Sequence, residues 1–269
     1  MMEKIAEDKQ EQSFLDHLEV LRWHLIRSFA AILMFTVLAF IFPEILFDKL
    51  IFAPKDPSFT TYRFFCWISE ILHFGEALCI DKMPFELMNI NMSGQFSTHI
   101  VSSIVAGFVF AFPYVFWEIW QFVKPALHRS EKKYSKGIVF YTSLLFILGV
   151  LFGYYAVAPL SVQFLGTYQV SSEVVNQINL NSYISTVTTV CLANGIVFLL
   201  PVIIYFLSKL GLITPSFLRK YRRHALVILM ILAAVITPPD IISLILVTFP
   251  LMLLYEVSIK VSVKFQDEE

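Results

Sequence analysis

The tetrapeptide Thr237-Pro238-Pro239-Asp240 constrains this chain more than any other feature. It separates two apolar runs. Between Arg223 and Asp240 lie 16 residues with no Asp, Glu, Lys or Arg, and between Asp240 and Glu256 lie 15. A helix of 16 residues rises about 24 Å, against about 30 Å of bilayer hydrocarbon. Proline has no backbone N–H, and Pro238 drives Thr237 away from helical dihedrals. The run is therefore expected to break and fold back as a hairpin of two short helices with an acid at its tip. Such a pair must thin the bilayer, tilt its neighbours or hide in protein.

Composition sets the class around this hairpin. The 269 residues are 57% hydrophobic and 15% charged, where a soluble domain carries about a quarter charged residues. Uncharged stretches recur at Ser28–Pro43, Leu87–Trp117, Gly137–Ser172 and Val174–Ser208. They are long and uniform, unlike the alternating segments of about 10 residues that build outer-membrane barrels. With the short pair they predict helices over 25–42, 99–122, 138–158, 184–207, 224–236 and 241–258.

Sidedness follows from Lys and Arg. They cluster at Lys4, Lys9, Arg22 and Arg27, in the loop holding Lys124, Arg129, Lys132, Lys133 and Lys136, and in the loop holding Lys209, Arg219, Lys220, Arg222 and Arg223. Lys260 and Lys264 follow near the end, whereas Pro159–Tyr183 has none. The positive-inside rule then places both termini in the cytoplasm. The expected fold class is an all-α polytopic membrane protein with six transmembrane helices, N-in and C-in, the last two short, in a single membrane domain. Its parts are a cytoplasmic amphipathic N-terminus (1–24), a large periplasmic loop (43–98), basic cytoplasmic loops (123–137 and 208–223) and a cytoplasmic tail (259–269).

The N-terminal segment lacks the form of a cleaved signal peptide, since mixed charges open it and no small-residue cleavage site follows a short apolar core. Ser13 with Asp16 fits a capping box, and Phe14, Leu15, Leu18, Leu21 and Leu25 share one face. The segment either lies at the interface or simply extends the first span. In the large loop, Phe64, Phe65, Trp67, Ile68, Ile71, Leu72 and Phe74 form the apolar face of another expected amphipathic helix, with Glu70 and Glu76 opposite. Cys66 and Cys79 share this loop on the oxidising side, where a disulfide requires a turn near Gly75 to bring them together. Cys191 falls inside the fourth span and reads as a packed core residue.

Several chemistries find no support. No Walker-type glycine loop, paired-cysteine metal spacing, His-Glu-x-x-His or Gly-x-Ser-x-Gly occurs, so neither an enzyme nor a cofactor is expected. His17, His24, His73, His99, His128 and His224 are scattered, mostly at expected interfaces, where a histidine is usually solvated. The basic clusters are accounted for by topology, and no nucleic-acid partner is expected.

An ordered set of segments resembles the TatC family, the large polytopic subunit of the twin-arginine protein translocase. It comprises His17-Leu18-Glu19-Val20-Leu21-Arg22; Phe112-Pro113, then Trp120-Gln121-Phe122-Val123-Lys124-Pro125-Ala126-Leu127 and Ser130-Glu131-Lys132-Lys133; Gly149 through Phe152-Gly153-Tyr154-Tyr155 to Pro159-Leu160; Gly195 through Pro201-Val202, with Gly211-Leu212-Ile213-Thr214 and Arg219-Lys220-Tyr221-Arg222-Arg223; and Thr237-Pro238-Pro239-Asp240. The resemblance spans roughly residues 13 to 258.

It implies a concave bundle in the bacterial inner membrane that binds twin-arginine signal peptides at the cytoplasmic face. It also implies small single-span TatA/TatB-type partners, a homo-oligomeric complex, and export of folded proteins driven by the proton-motive force. Two guanidiniums call for carboxylates that can accept charge-assisted, bidentate hydrogen bonds. Glu131 matches the family's loop glutamate, and Phe122 and Pro125 match the same patch. The family's other glutamate maps onto Val20, but here the acid is Glu19, turned by about 100° on a helix. Asp16 lies one turn before Val20, so Glu19, Asp16 or both can take the role. Arg22 matches directly, either shaping the pocket or obeying the positive-inside rule. Many members carry a glutamate where Leu199 stands, and Gln95 and Asn194 are the candidate polar substitutes for partner docking. Pro113, Pro201, Pro238, Pro239 and Asp240 are candidate structural or docking positions. The rival expectation, a small-molecule secondary transporter, calls for inverted repeats and broken helices at the midplane, and neither is legible.

Overall fold

The computed structural model describes residues 2–71, 85–124, 135–171, 176–209 and 211–266, with 2–17, 68, 135–136 and 264–266 described by backbone alone. Helix α1 runs unbroken over Met2–Ile41. A π-helical segment (Glu44–Ile51), a 3-10 turn (Ala53–Lys55) and α2 (Thr60–Ile71) follow. Strand β1 (Glu86–Met88) precedes α3 (Gly94–Val123). Helix α4 (Ser135–Phe152) passes through a π-helical segment (Gly153–Val157) into α5 (Ala158–Thr167). Strand β2 (Gln177–Asn179) pairs in parallel with β1, Glu86 opposite Gln177 and Met88 opposite Asn179. Then come α6 (Leu180–Val197), α7 (Leu200–Lys209), α8 (Pro215–Lys220), α9 (Arg222–Ile236) and α10 (Ile241–Gln266).

Among the described residues, five segments are long and apolar enough to cross a membrane: Leu18–Ile41, Gly94–Val123, Gly137–Thr167, Leu180–Lys209 and Ile241–Val263. At 15 residues, α9 falls short of that length. The expectation that both members of the last pair are short holds for α9 only. Helix α10 has 26 residues and runs to Gln266 rather than ending near residue 258, with Glu256 inside it accepting a 2.8 Å hydrogen bond from Arg222. At the N-terminus the helix begins at Met2 rather than near residue 25, so the amphipathic segment and the first span are one helix.

Two prolines act differently from their sequence appearance. The third helix, expected over 138–158, runs to Thr167, past Pro159. The π-helical segment just before it shifts the bonding pattern, with the Ala158 N–H reaching the Gly153 carbonyl, and Pro159 falls in the first turn of α5, where no N–H is needed. Pro201 does interrupt the fourth span. Helix α6 stops at Val197, a turn follows, and α7 restarts at Leu200.

The chain divides into two compact units, residues 1–41 with 103–143, and residues 42–102 with 144–269. In the first, α1 and α3 run antiparallel. Thr36 lies beside Gly107, the Phe35 and Phe110 rings stack at 6.4 Å, and His24 meets Glu118. The outward face of α1 carries exposed Phe29, Leu33, Met34 and Val37, as a lipid-facing surface would.

In the second unit, Val157, Ala158, Val190, Val247 and Leu251 form a fully buried core. Small residues let α4 and its π-helical extension approach α6. A Cβ on Gly149 would stand 2.6 Å from the Asn194 carbonyl oxygen, and one on Gly153 would stand 2.9 Å from the Cys191 Cα. This is the small-residue packing that apolar solvent favours, since close backbone approach supplies the dispersion that water cannot drive. Cys191 is buried there as a free thiol.

Tyrosines hang the segment before α2 from this core. The Tyr154 hydroxyl donates to the Leu50 carbonyl at 2.8 Å, and Tyr183 donates to Ile51 at 2.9 Å. Tyr62 lies between the carbonyls of Pro54 and Pro159, at 2.8 and 2.9 Å. Irregular backbone leaves carbonyls without helical partners, and buried carbonyls must be satisfied somehow. Three phenols do so here.

Candidate functional site

The first unit holds a polar cluster that the sequence reading missed. Tyr114, Glu118 and Phe122 recur at four-residue spacing on α3 and therefore share a face. His24 and Arg27, three apart on α1, meet that face. The His24 Nδ1 donates to Glu118 Oε2 at 2.5 Å, and the Tyr114 hydroxyl donates to Oε1 at 2.8 Å. Arg27 Nη1 stands 3.6 Å from Oε1. The Glu118 side chain is 1% exposed, His24 15% and Arg27 51%. The carboxylate is thus buried and paired, while the guanidinium reaches out. Arg27 Nε donates to the Trp23 carbonyl, and the Ser28 hydroxyl bonds the His24 carbonyl at 2.8 Å.

His24 is therefore a partnered histidine, not the solvated interfacial one expected from its position. The signal for it was Glu118, a lone acid inside an apolar helix. Such a residue in a membrane span is costly unless paired, and it marks a site by default.

The expected recognition residues gather partly at this same end. The Phe122 ring lies edge-on to His24, with centroids 6.3 Å apart. Val20 precedes His24 by one turn, and Asp16 occupies the same row one turn further along α1. Glu19 and Arg22 flank that row with exposed side chains. Pro125 and Glu131 lie outside the described residues.

The other candidates fall in the second unit or within α3. Asn194 is fully buried, its amide donating to the Val190 carbonyl of its own helix at 2.8 Å. Gln95 lines a cavity of about 720 Å³ with Phe47, Phe52, Phe96, His99 and Lys55. Pro113 sits within α3 and Pro201 is buried at the start of α7.

Asp240 is buried rather than presented at a tip. Its Oδ2 accepts the Ser243 N–H at 2.7 Å, capping α10. Thr237 ends α9, its hydroxyl bonding the Ala233 carbonyl at 3.0 Å, and the exposed Pro239 lies between the two polar residues. Cys66 is disulfide-bonded, and Cys79 lies outside the described residues.

Membrane-length helices, glycine-mediated packing and charges at helix ends define a multi-pass helical membrane protein. The family model for "Sec-independent protein translocase protein (TatC)" matches residues 16–250. The chain is 43% identical over 256 residues to the Sec-independent protein translocase protein TatC of Blattabacterium sp. subsp. Periplaneta americana (strain BPLAN), covering 95% of this chain and 96% of that protein. It is 33% identical over 245 residues to the TatC of Aquifex aeolicus (strain VF5), covering 91% and 92%. A crystal structure described as the twin arginine translocase receptor TatC in DDM superposes with a TM-score of 0.68 at 32% identity, covering 90% of this chain and 97% of that one. The chain belongs to the TatC family and is a protein-translocase component of the Tat pathway.

Proposed function

We propose that this chain is the signal-peptide receptor of a twin-arginine translocase in a bacterial inner membrane. It spans the membrane six times with both termini in the cytoplasm, α9 being the undersized span. It binds signal peptides bearing two consecutive arginines at the cytoplasmic face. With small single-span TatA/TatB-type subunits, and in a homo-oligomeric complex, it passes folded proteins across on the proton-motive force. The observation that carries this reading is the likeness, over 90% of the chain, to a structure described as the twin arginine translocase receptor.

Charge placement supports the same reading. The loops rich in Lys and Arg all fall on one side of such a topology. The acids available to two guanidiniums there are Glu131 in the 123–137 loop and Glu19 or Asp16 on α1, with Arg22, Phe122 and Pro125 around them. A carboxylate suits guanidinium because two parallel N–H···O bonds fit its geometry.

Site-directed crosslinking tests the proposal. A synthetic twin-arginine peptide carrying a photoreactive group beside the arginines should couple to Glu131→Cys and to Glu19→Cys in the folded, lipid-embedded protein, each cysteine being labelled with the matching chemistry. A peptide in which both arginines are replaced by glutamine should not couple. Absence of any twin-arginine-dependent coupling at both positions removes the receptor reading.

A further inference from the structure

Glu118 carries a charge where packing alone does not call for one. Burying a carboxylate is expensive, and a well-fitted apolar side chain would join α1 to α3 as well or better. What the charge supplies is geometry. Its two oxygens are divided, Oε2 taking His24 and Oε1 taking Tyr114, with Arg27 alongside. Two of those three partners sit on α1. Sliding α1 by one residue, or turning it by about 100°, would take His24 off the carboxylate. Apolar ridges tolerate such slips far better than a hydrogen-bonded pair does. The pair therefore fixes α1 against α3 in both rotation and translation.

What it registers is the end of the first unit where the recognition candidates lie. Beyond His24, α1 carries Arg22, Val20, Glu19 and Asp16 within the next two turns. Beyond Glu118, α3 carries Phe122, already in contact with the His24 ring. The helices are antiparallel, so these outer turns face the same way. Capture of guanidinium through two parallel hydrogen bonds needs the acids held in a definite orientation, whereas an ammonium accepts a looser arrangement.

We propose that Glu118 is a positioning residue for twin-arginine recognition: by holding His24 and Arg27 it sets the rotation of α1 beside Phe122, and so the placement of the α1 acids that meet the guanidiniums. The role rests on the receptor function proposed above. Its signature lies in discrimination. A receptor with a loosened α1 still attracts two positive charges but loses its preference for paired arginine over paired lysine.

The test uses the full chain in lipid nanodiscs and two labelled synthetic signal peptides, one with Arg-Arg and one with Lys-Lys. The readout is the ratio of their dissociation constants, measured beside the thermal midpoint. Glu118→Gln keeps nearly the same shape and one acceptor oxygen for Tyr114, but it removes the second acceptor and the charge that hold His24 and Arg27. The ratio should fall about tenfold, the scale of one charge-assisted hydrogen bond, with little change in midpoint. His24→Gln should lower it similarly, and the double variant should do no more than either single one, because all three remove one link. Glu256→Gln breaks an ion pair in the other unit and should leave the ratio unchanged, which controls for general loosening. An unaltered ratio in Glu118→Gln, or an equal fall in Glu256→Gln, overturns the positioning role while the receptor reading stands. Should Glu118→Gln fail to fold, the ratio in His24→Gln decides alone by the same criterion. A wild-type protein with no preference for Arg-Arg overturns the receptor reading and this role with it.

Discussion

Gly107 lies against the backbone of Thr36, so close that a Cβ there would stand 2.7 Å from the Thr36 nitrogen and 2.9 Å from its Cα. The obstacle is main chain, which cannot swing aside as a long side chain can. Gly107→Ala should therefore push α1 and α3 apart. Overpacking of this kind costs about 1–3 kcal/mol, against a gain of up to about 1 kcal/mol from alanine's better helix propensity. The net expectation is a lowered thermal midpoint in nanodiscs, and Gly107→Val should lower it further. A midpoint equal to or above that of the wild type for Gly107→Ala would show that the helices have room to separate at no cost.

Tyr62 joins two stretches of chain that are 97 residues apart. Its hydroxyl is shared between the carbonyls of Pro54 and Pro159 and is fully buried. Burial pushes the phenol far above its ordinary range, so it remains a donor at any working pH. Tyr62→Phe keeps the ring, which packs edge-on to Phe59 at 6.2 Å, and deletes only the donor. Leaving buried carbonyls without a partner costs about 1–3 kcal/mol. The thermal midpoint of the full chain should fall accordingly, and an unchanged midpoint would mean that another donor replaces the phenol.

Asp240 is the second place where one oxygen does definite work. Its Oδ2 caps α10 through the Ser243 N–H. Asp240→Ala should destabilise the hairpin by about 0.5–2 kcal/mol, whereas Asp240→Asn and Asp240→Ser, which also cap, should recover most of that loss. Thermal unfolding of the three variants checks the order. If alanine and asparagine behave alike, the cap is not what the position supplies.

The break at Thr237–Asp240 was legible because proline chemistry is local, and so was the apolar core of every long helix. The His24–Glu118 pair was not, because it joins residues 94 apart and nothing in either neighbourhood names the other. The expected end of α10, at residue 258, also fell short of its observed end at Gln266. The third helix likewise runs past its expected end at residue 158, because a π-helical turn admits Pro159 into the first turn of α5. The missed pair needed tertiary structure to supply its partner, whereas the proline needed only a local change in helical bonding.

The length of α9 carries the last prediction. With α10 long enough to span, any local thinning of the bilayer rests on α9 alone, whose 15 residues rise about 22 Å against about 30 Å of hydrocarbon. Its exposed Val227, Ile228, Ile231 and Val235 show that the helix presents an apolar face outward, and with α9 as the sixth span proposed above, lipid would adjust to that length. Inserting one full turn of leucine and alanine into the middle of α9 relieves the mismatch while keeping its two ends in phase to within about 40°. If thinning lowers the barrier to passage, the longer helix should reduce export of a folded twin-arginine reporter several-fold while peptide crosslinking at Glu131→Cys and Glu19→Cys persists. The deuterium order parameters of the surrounding acyl chains should rise at the same time. Export at the wild-type rate in a variant with thicker surrounding lipid would separate the short helix from the transport step.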